Sequence, residues 1–165
     1  RPTLDKVREA VFSSLGGMFD GGTVLDLYAG SGANGLEALS RGYDYAVFAD
    51  ISKDAIQVIR KNIESLRCKE KTKVLHMPDK KALSLLKAEG LRFDLVYLDP
   101  PYAGQRNNEI LEYLQENNMI TDCGVVVIES AKEDEFKKDF GSLKPYKEAT
   151  YGITRITYYR NEVEG

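Results

Sequence analysis

The sequence predicts a doubly wound α/β fold, a mostly parallel sheet with helices on both faces. Three observations carry that reading. Short apolar, β-rich runs alternate with stretches whose apolar residues recur at helical spacing, and such alternation demands parallel strands buried between two helical layers. A glycine-rich stretch, Gly30-x-Gly32-x-x-Gly35, follows the first of those runs and opens a helical one. The length of 165 residues is one domain's worth, spanning 1–165 without an internal repeat, low-complexity tract or linker.

The elements follow in order. A first helix carries Val7, Ala10, Val11 and Leu15 at helical spacing, with Thr3 the expected N-cap and Gly16-Gly17 ending it. Thr23 to Tyr28 is a strand, Ala33 to Arg41 a helix, and Tyr45 to Ala49 a second strand closed by Asp50. From Ser52 or Lys53 to Arg67 runs an amphipathic helix with Ala55, Ile56, Ile59, Ile63 and Leu66 on one side. Lys73 to Met77 is a third strand, Lys80 to Ala88 a helix, and Phe93 to Leu98 a fourth strand. Asn108 to Glu116 reads as a helix, Gly124 to Glu129 as a fifth strand, and Glu133 to Phe140 as a charged helix. Lys147 to Tyr159, alternating around Gly152, supplies the last one or two strands.

Composition removes several function classes. No apolar run approaches the roughly 18 residues of a membrane span, and no signal-peptide pattern opens the chain. A cytoplasmic protein without membrane attachment is expected. Cys68 and Cys123 lack CxxC spacing, and His76 is the single histidine, so reduced thiols and no metal site are expected. The net charge of −3 argues against a nucleic-acid binder that is basic over its whole surface. The charge is uneven, however: Lys53 to Lys73 holds seven basic and three acidic residues. That run reads as a solvated helix face.

The glycine loop sits where a nucleotide fingerprint requires it, between a strand and a helix. Asp50, at the end of the next strand, is placed to take both ribose hydroxyls. These features alone suit NAD, FAD or S-adenosylmethionine, and without a ligand the loop is simply a tight strand-to-helix turn. Asp26 decides among them. An acid four residues before Gly30 would face a pyrophosphate with like charge, whereas it suits the ammonium and sulfonium end of S-adenosylmethionine. Tyr28, Ala29, Gly30, Ser31, Gly32 and Gly35 then form the cradle, with Ile51 beside Asp50. Asp79, after the third strand, is placed for an adenine amino group or as an N-cap of the next helix.

Asp99-Pro100-Pro101-Tyr102 closes the fourth apolar run. Exocyclic amines of nucleobases are poor nucleophiles because the lone pair is delocalised into the ring. A carboxylate and a carbonyl that accept both amino hydrogens favour a pyramidal nitrogen aimed at a methyl group. Asp99 and the carbonyl of Pro100 are the nominated acceptors, acting through preorganisation and alignment. Pro100 and Pro101 fix the local φ and bring no competing donors. Tyr102 would stack on the base, worth about 1–3 kcal/mol. A base within a duplex would first have to leave its stack.

The resemblance is now specific. Arg1-Pro2-Thr3-x-x-Lys6-Val7-Arg8-Glu9-Ala10-Val11-Phe12 resembles the opening of the RsmD family. The stretch from Leu25 to Gly42 resembles that family's cofactor motif, Asp99-Pro100-Pro101-Tyr102 its catalytic motif, and Tyr151-Gly152-x-Thr154 its C-terminal strand. The match runs from Arg1 to about Tyr159. It implies a class I S-adenosylmethionine-dependent methyltransferase, with a Rossmann-like, seven-stranded sheet whose last strand is reversed. It also implies methylation of guanine N2 in 16S rRNA, within a 30S subunit or an assembly intermediate. Asn34 and Pro78 depart from the family pattern. The basic segment that the family carries ahead of its Arg-Pro-Thr motif is not part of this chain.

Arg1, Lys6, Arg8 and Arg106 are the candidate contacts to RNA phosphates, with plain solvation as the alternative. Three further readings stay open: an adenine-N6 methyltransferase on DNA or RNA, a silent cofactor-binding module, and an NAD oxidoreductase. The last lacks a second substrate domain and is opposed by Asp26.

Overall fold

The computed structural model describes residues 2–101, 106–135 and 139–163. Five strands run parallel: β1 (Thr23–Asp26), β2 (Tyr45–Asp50), β3 (Thr72–His76), β4 (Phe93–Leu98) and β5 (Ile120–Ala131). They are joined by β6 (Leu143–Tyr151) and β7 (Thr154–Asn161), and β7 is antiparallel to both β5 and β6. The seven lie in the order β3-β2-β1-β4-β5-β7-β6. Helices α1 (Pro2–Leu15), α2 (Ala33–Ser40), α3 (Lys53–Ser65), α4 (Asp79–Ala88) and α5 (Asn107–Glu116) connect and cover them.

Side chains alternate across a strand, and each apolar run therefore feeds two cores. Leu25, Val47, Val96 and Ile128 face one side and pack with Leu83 and Leu86 of α4 and Leu111 and Leu114 of α5. Val24, Phe48, Leu95 and Val127 face the other, against Val11 and Phe12 of α1, Ala38 of α2 and Ile59 of α3. Full burial of each such large side chain contributes about 1.5–3 kcal/mol. Helix α2 can lie this close to β2 because Gly35 has no side chain. A Cβ there would come within 2.4 Å of the Phe48 ring. Gly35 thus answers to helix-on-strand packing.

Several expected boundaries move. Helix α1 begins at Pro2, so Thr3 lies inside it instead of capping it. Pro78, not Asp79, precedes the first turn of α4. Strand β5 starts at Ile120 rather than Gly124, with a register shift against β4 between Phe93 and Leu95. Cys123 sits there at φ +66°, which hid the strand's start from a periodicity reading. The stretch after Gly141 forms two full strands, joined at Tyr151 to Thr154. The charged helix expected over 133–140 is not found among its described residues. Asp134 closes a turn on Ala131 O, and Phe140 bridges to Leu143. Phe140 is buried beside Tyr159, ring centroids 6.0 Å apart. Contact with β7 outweighed the local helical spacing.

Candidate active site

The strand order reverses between β1 and β4, and in open α/β sheets ligands bind outside the carboxyl ends of strands at such a point. Four acids meet at this edge. Asp26 and Asp50 are the last residues of β1 and β2, Asp99 follows β4, and Glu129 lies near the end of β5. A pocket of about 300 Å³ opens there, between Leu4 and Arg8 of α1, the Gly30 and Ser31 turn, and the Asp99 and Glu129 carboxyls. A larger hollow of about 640 Å³ lies between α3 and β3, lined by Arg60, Arg67 and Lys69, and none of the strand-end acids reaches it.

The turn after β1 is held by main-chain bonds from Ala29 N to Ala49 O at 3.0 Å and from Gly32 N to Ala29 O at 2.8 Å. Gly30 takes φ +57°, and a Cβ there would meet nothing within 4 Å, so its open side is pocket space. Beneath the turn, Asp26 is 1% exposed. Its Oδ2 accepts from Gly35 N at 3.0 Å, and its Oδ1 has no hydrogen-bond partner among the described residues. Burial pushes the Asp26 carboxyl up to about 8; the Gly35 N–H works against this, and Asp99 and Asp50 add to it.

Asp50 braces the same turn. Its Oδ2 accepts from Gly30 N and its Oδ1 from Ser52 N, each at 2.8 Å. A carboxylate offers about four acceptor sites, so both oxygens keep capacity for hydroxyl donors. Next to it Ile51 is 70% exposed, an apolar surface just past the end of β2.

Asp79 is engaged in a way the sequence did not foretell. Tyr28 OH donates to its Oδ2 at 2.7 Å, and Lys80 N to its Oδ1 at 2.7 Å. Arg106 Nη2 donates to both oxygens at 2.6 Å. Burial works to raise this carboxyl, but the bonds from Tyr28, Arg106 and Lys80 more than offset it and hold it below the usual carboxylate range. Arg106, expected at an RNA phosphate, is instead an ion-pair partner of Asp79. No acceptor site of Asp79 is left over for an adenine amino group in this arrangement.

Asp99 lines the pocket and is exposed there. Pro100 behind it is buried and Pro101 is exposed. Tyr102, the expected stacking ring, lies outside the described residues. Glu129 lies beside Asp99 in the same pocket, close enough for the two carboxyls to share a proton, a partnership the sequence reading missed. The available signal was an acid ending the run Val125 to Ile128, as Asp26 and Asp99 end theirs.

Of the expected phosphate contacts, Arg1 lies outside the described residues and Lys6 is exposed. Arg8 lines the pocket but is held by Asp5 at 2.9 Å and Glu37 at 3.5 Å. Glu37 also takes Arg41 at 2.7 Å, so this network ties α1 to α2. Among the described residues no group of three or more His, Cys, Asp and Glu is spaced to hold a metal ion. No described helix is long and apolar enough to cross a membrane.

A family model described as Conserved hypothetical protein 95 matches residues 1–160. The chain is 37% identical over 160 residues to "Putative rRNA methyltransferase YlbH" of Bacillus subtilis, covering 97% of this chain and 87% of that protein. It is 30% identical to "Ribosomal RNA small subunit methyltransferase D" of Escherichia coli over 165 residues, 100% of this chain and 81% of the relative. A solved structure described as a conserved hypothetical protein from Streptococcus pyogenes superposes with a TM-score of 0.88 at 38% identity. That superposition covers 94% of this chain and 95% of the other.

Proposed function

The chain belongs to the RsmD family, and from that premise we propose that it methylates a guanine at N2 in 16S rRNA, with S-adenosylmethionine as donor. The observation that carries the reading is the arrangement at the reversal of the sheet. Asp99, backed by buried Pro100, shares one pocket with the Gly30 turn, directly above the buried Asp26. The names of the two relatives support an rRNA substrate. The choice of guanine N2 rests on the family resemblance and on the two acceptors of the Asp99-Pro100 turn.

The residues present fit the cofactor. Asp26 Oδ1 is a buried acceptor without a partner among the described residues, a site for the ammonium and sulfonium end. The turn from Tyr28 to Gly32 forms the cradle, with Gly35 fixing α2 beneath it. Asp50 takes ribose hydroxyls with its remaining acceptor sites, and Ile51 covers an apolar ring face. Asp79 meets the adenine amino group once Arg106 gives way. S-adenosylmethionine, when bound, supplies an electrophilic methyl group carried on sulfur.

The chain's own residues do the rest. Asp99 and the Pro100 carbonyl accept the amino hydrogens, which aligns the nitrogen lone pair. The proton that the methylated amine must lose passes to Asp99 and then to water. Tyr102 stacks on the base. Arg1, Lys6 and Arg8 guide the RNA at the rim, with Arg106 joining them when it leaves Asp79. The whole operates as a single methyltransferase domain in the cytoplasm, on a 30S subunit or an assembly intermediate.

The test is methyl incorporation from labelled S-adenosylmethionine into under-methylated 30S subunits, naked 16S rRNA and duplex DNA, followed by digestion. N2-methylguanine from either ribosomal substrate is the expected product. N6-methyladenine would keep the chemistry and overturn the substrate.

A further inference from the structure

We propose that Glu129 is the positioning residue of the target-base site: its carboxyl donates the hydrogen bond that holds Asp99 as a carboxylate turned to the pocket. The inference rests on the functional reading above, because it assigns Asp99 to the base amine.

The geometry comes first. Strands β4 and β5 pair in parallel as far as Leu98 opposite Ile128, so the next residues, Asp99 just past the end of β4 and Glu129 still within β5, lie side by side. Both line the same 300 Å³ pocket, close enough for one carboxyl to donate to the other. A bond between two carboxyls needs one proton, since two facing carboxylates repel.

The surroundings decide where that proton sits. Asp26 of β1 adds a third acid, and the Tyr97 hydroxyl of β4 lies buried nearby without a partner among the described residues. On β7, Glu129 pairs with Ile156, which brings no charge. The cation that reaches Glu129 is Arg8 of α1, already committed to Asp5 and Glu37. Burial, then the bond to Asp99 and its charge, push the Glu129 carboxyl up to about 9. Burial holds Asp99 above its ordinary value too, and the bond from Glu129 offsets only part of this. Asp99 is exposed at the end of its strand while Glu129 is half-buried within the sheet, so the charge sits on the better hydrated Asp99 and Glu129 carries the shared proton.

That division suits the chemistry. A protonated Asp99 would point a donor at an amine that needs an acceptor. With Glu129 as donor, one Asp99 oxygen is fixed and the remaining acceptor sites face the pocket. As the N–C bond forms and the methyl–sulfur bond breaks, the amine proton goes to Asp99. Glu129 keeps its own proton throughout.

The experiment compares the wild type with Glu129→Gln and Glu129→Ala. Readouts are saturated single-turnover rate from pH 6 to 9.5, KM for 30S subunits, S-adenosylhomocysteine affinity, and carboxyl ¹³C NMR titration of the free protein. Glu129→Ala is expected to lose about 10- to 100-fold in rate, the worth of one hydrogen bond to a charged group. Its KM and S-adenosylhomocysteine affinity stay within about twofold, which also shows that it folds. Glu129→Gln still donates, through its amide, and recovers most of that loss. The wild-type rate begins to fall near pH 9 as Glu129 loses its proton, and the Gln variant stays flat there. In the free protein the Glu129 carboxyl titrates far above the ordinary range, and the Asp99 signal follows it. Glu129→Gln no better than Glu129→Ala, or Glu129 titrating as an ordinary carboxyl, overturns the inference. A wild type that methylates no RNA defeats the functional reading instead, and the NMR titration still decides the carboxyl pair.

Discussion

The main-chain N–H of Gly35 donates to Asp26 Oδ2 at 3.0 Å and leaves Asp26 Oδ1 buried, with no partner among the described residues. A carboxyl so placed is a structural burden. Its value rises from 3.8 to about 8 on folding, chiefly by burial. Between those values the folded chain holds a proton that the unfolded chain has lost, so this group's contribution to stability falls as pH rises from about 4 and levels off above about 8. Asp26→Asn keeps an oxygen for Gly35 and removes the charge. At pH 8.5 we expect the variant to be more stable by about 1–3 kcal/mol, a Tm gain of roughly 2–4 °C per kcal/mol. The gap closes towards pH 4. Thermal melts across that range measure it, and a variant that melts lower at pH 8.5 would contradict the account.

The same burden predicts how the cofactor binds. A cation brought to Oδ1 favours the ionised carboxyl, so binding below about pH 8 must expel a proton from Asp26. Affinity for S-adenosylmethionine should therefore rise with pH from 6.5 to 8, by up to about tenfold per unit, and then level off. Calorimetry in buffers of different ionisation enthalpy reads the released proton directly. Asp26→Asn should bind more weakly and lose both the slope and the proton.

Arg106 and Asp79 supply a third prediction. The two 2.6 Å contacts from Arg106 fill acceptor sites that an adenine amino group needs. Arg106→Ala should leave the Tyr28 bond to Asp79 in place and tighten S-adenosylhomocysteine binding about 3- to 10-fold, the worth of roughly one hydrogen bond. Weaker binding would mean that Arg106 helps to build the adenine site instead of guarding it.

What the sequence revealed of this site follows from how each residue is held. Asp26, Asp50 and Asp99 each close an apolar run just before a turn signal, and that punctuation made them legible. Glu129 closes a similar run, but β5 continues to Ala131 without a break, so nothing local marked it. Its meaning depends on Asp99, thirty residues earlier, and only strand pairing brings the two together. The Arg106 contact to Asp79 is of the same kind, joining residues 27 apart that share no periodicity. The parallel strands were readable because each is buried on both faces and so continuously apolar. The 133–140 stretch misled because Phe140 packs on Tyr159 of β7, a contact that local spacing cannot register.

Asp99→Ala separates the roles at the heart of the pocket. Among the described residues Asp99 makes no hydrogen bond to the Gly30 turn, to Asp50 or to Asp79, so S-adenosylhomocysteine affinity should stay within about twofold of wild type. Turnover should fall by about 100-fold or more, because an acceptor preorganised for developing positive charge is removed. The variant also removes the partner that raises Glu129 through a hydrogen bond and through charge, and one charge that raises Asp26. Both carboxyls should therefore titrate lower than in the wild type, with burial still holding them above the usual range. By linkage the chain should lose less stability on going from pH 5 to pH 9 than the wild type does. Equal loss of cofactor binding and turnover would place Asp99 in the cofactor site and remove it from the base. Unchanged titration of Glu129 would show that the two carboxyls are not coupled.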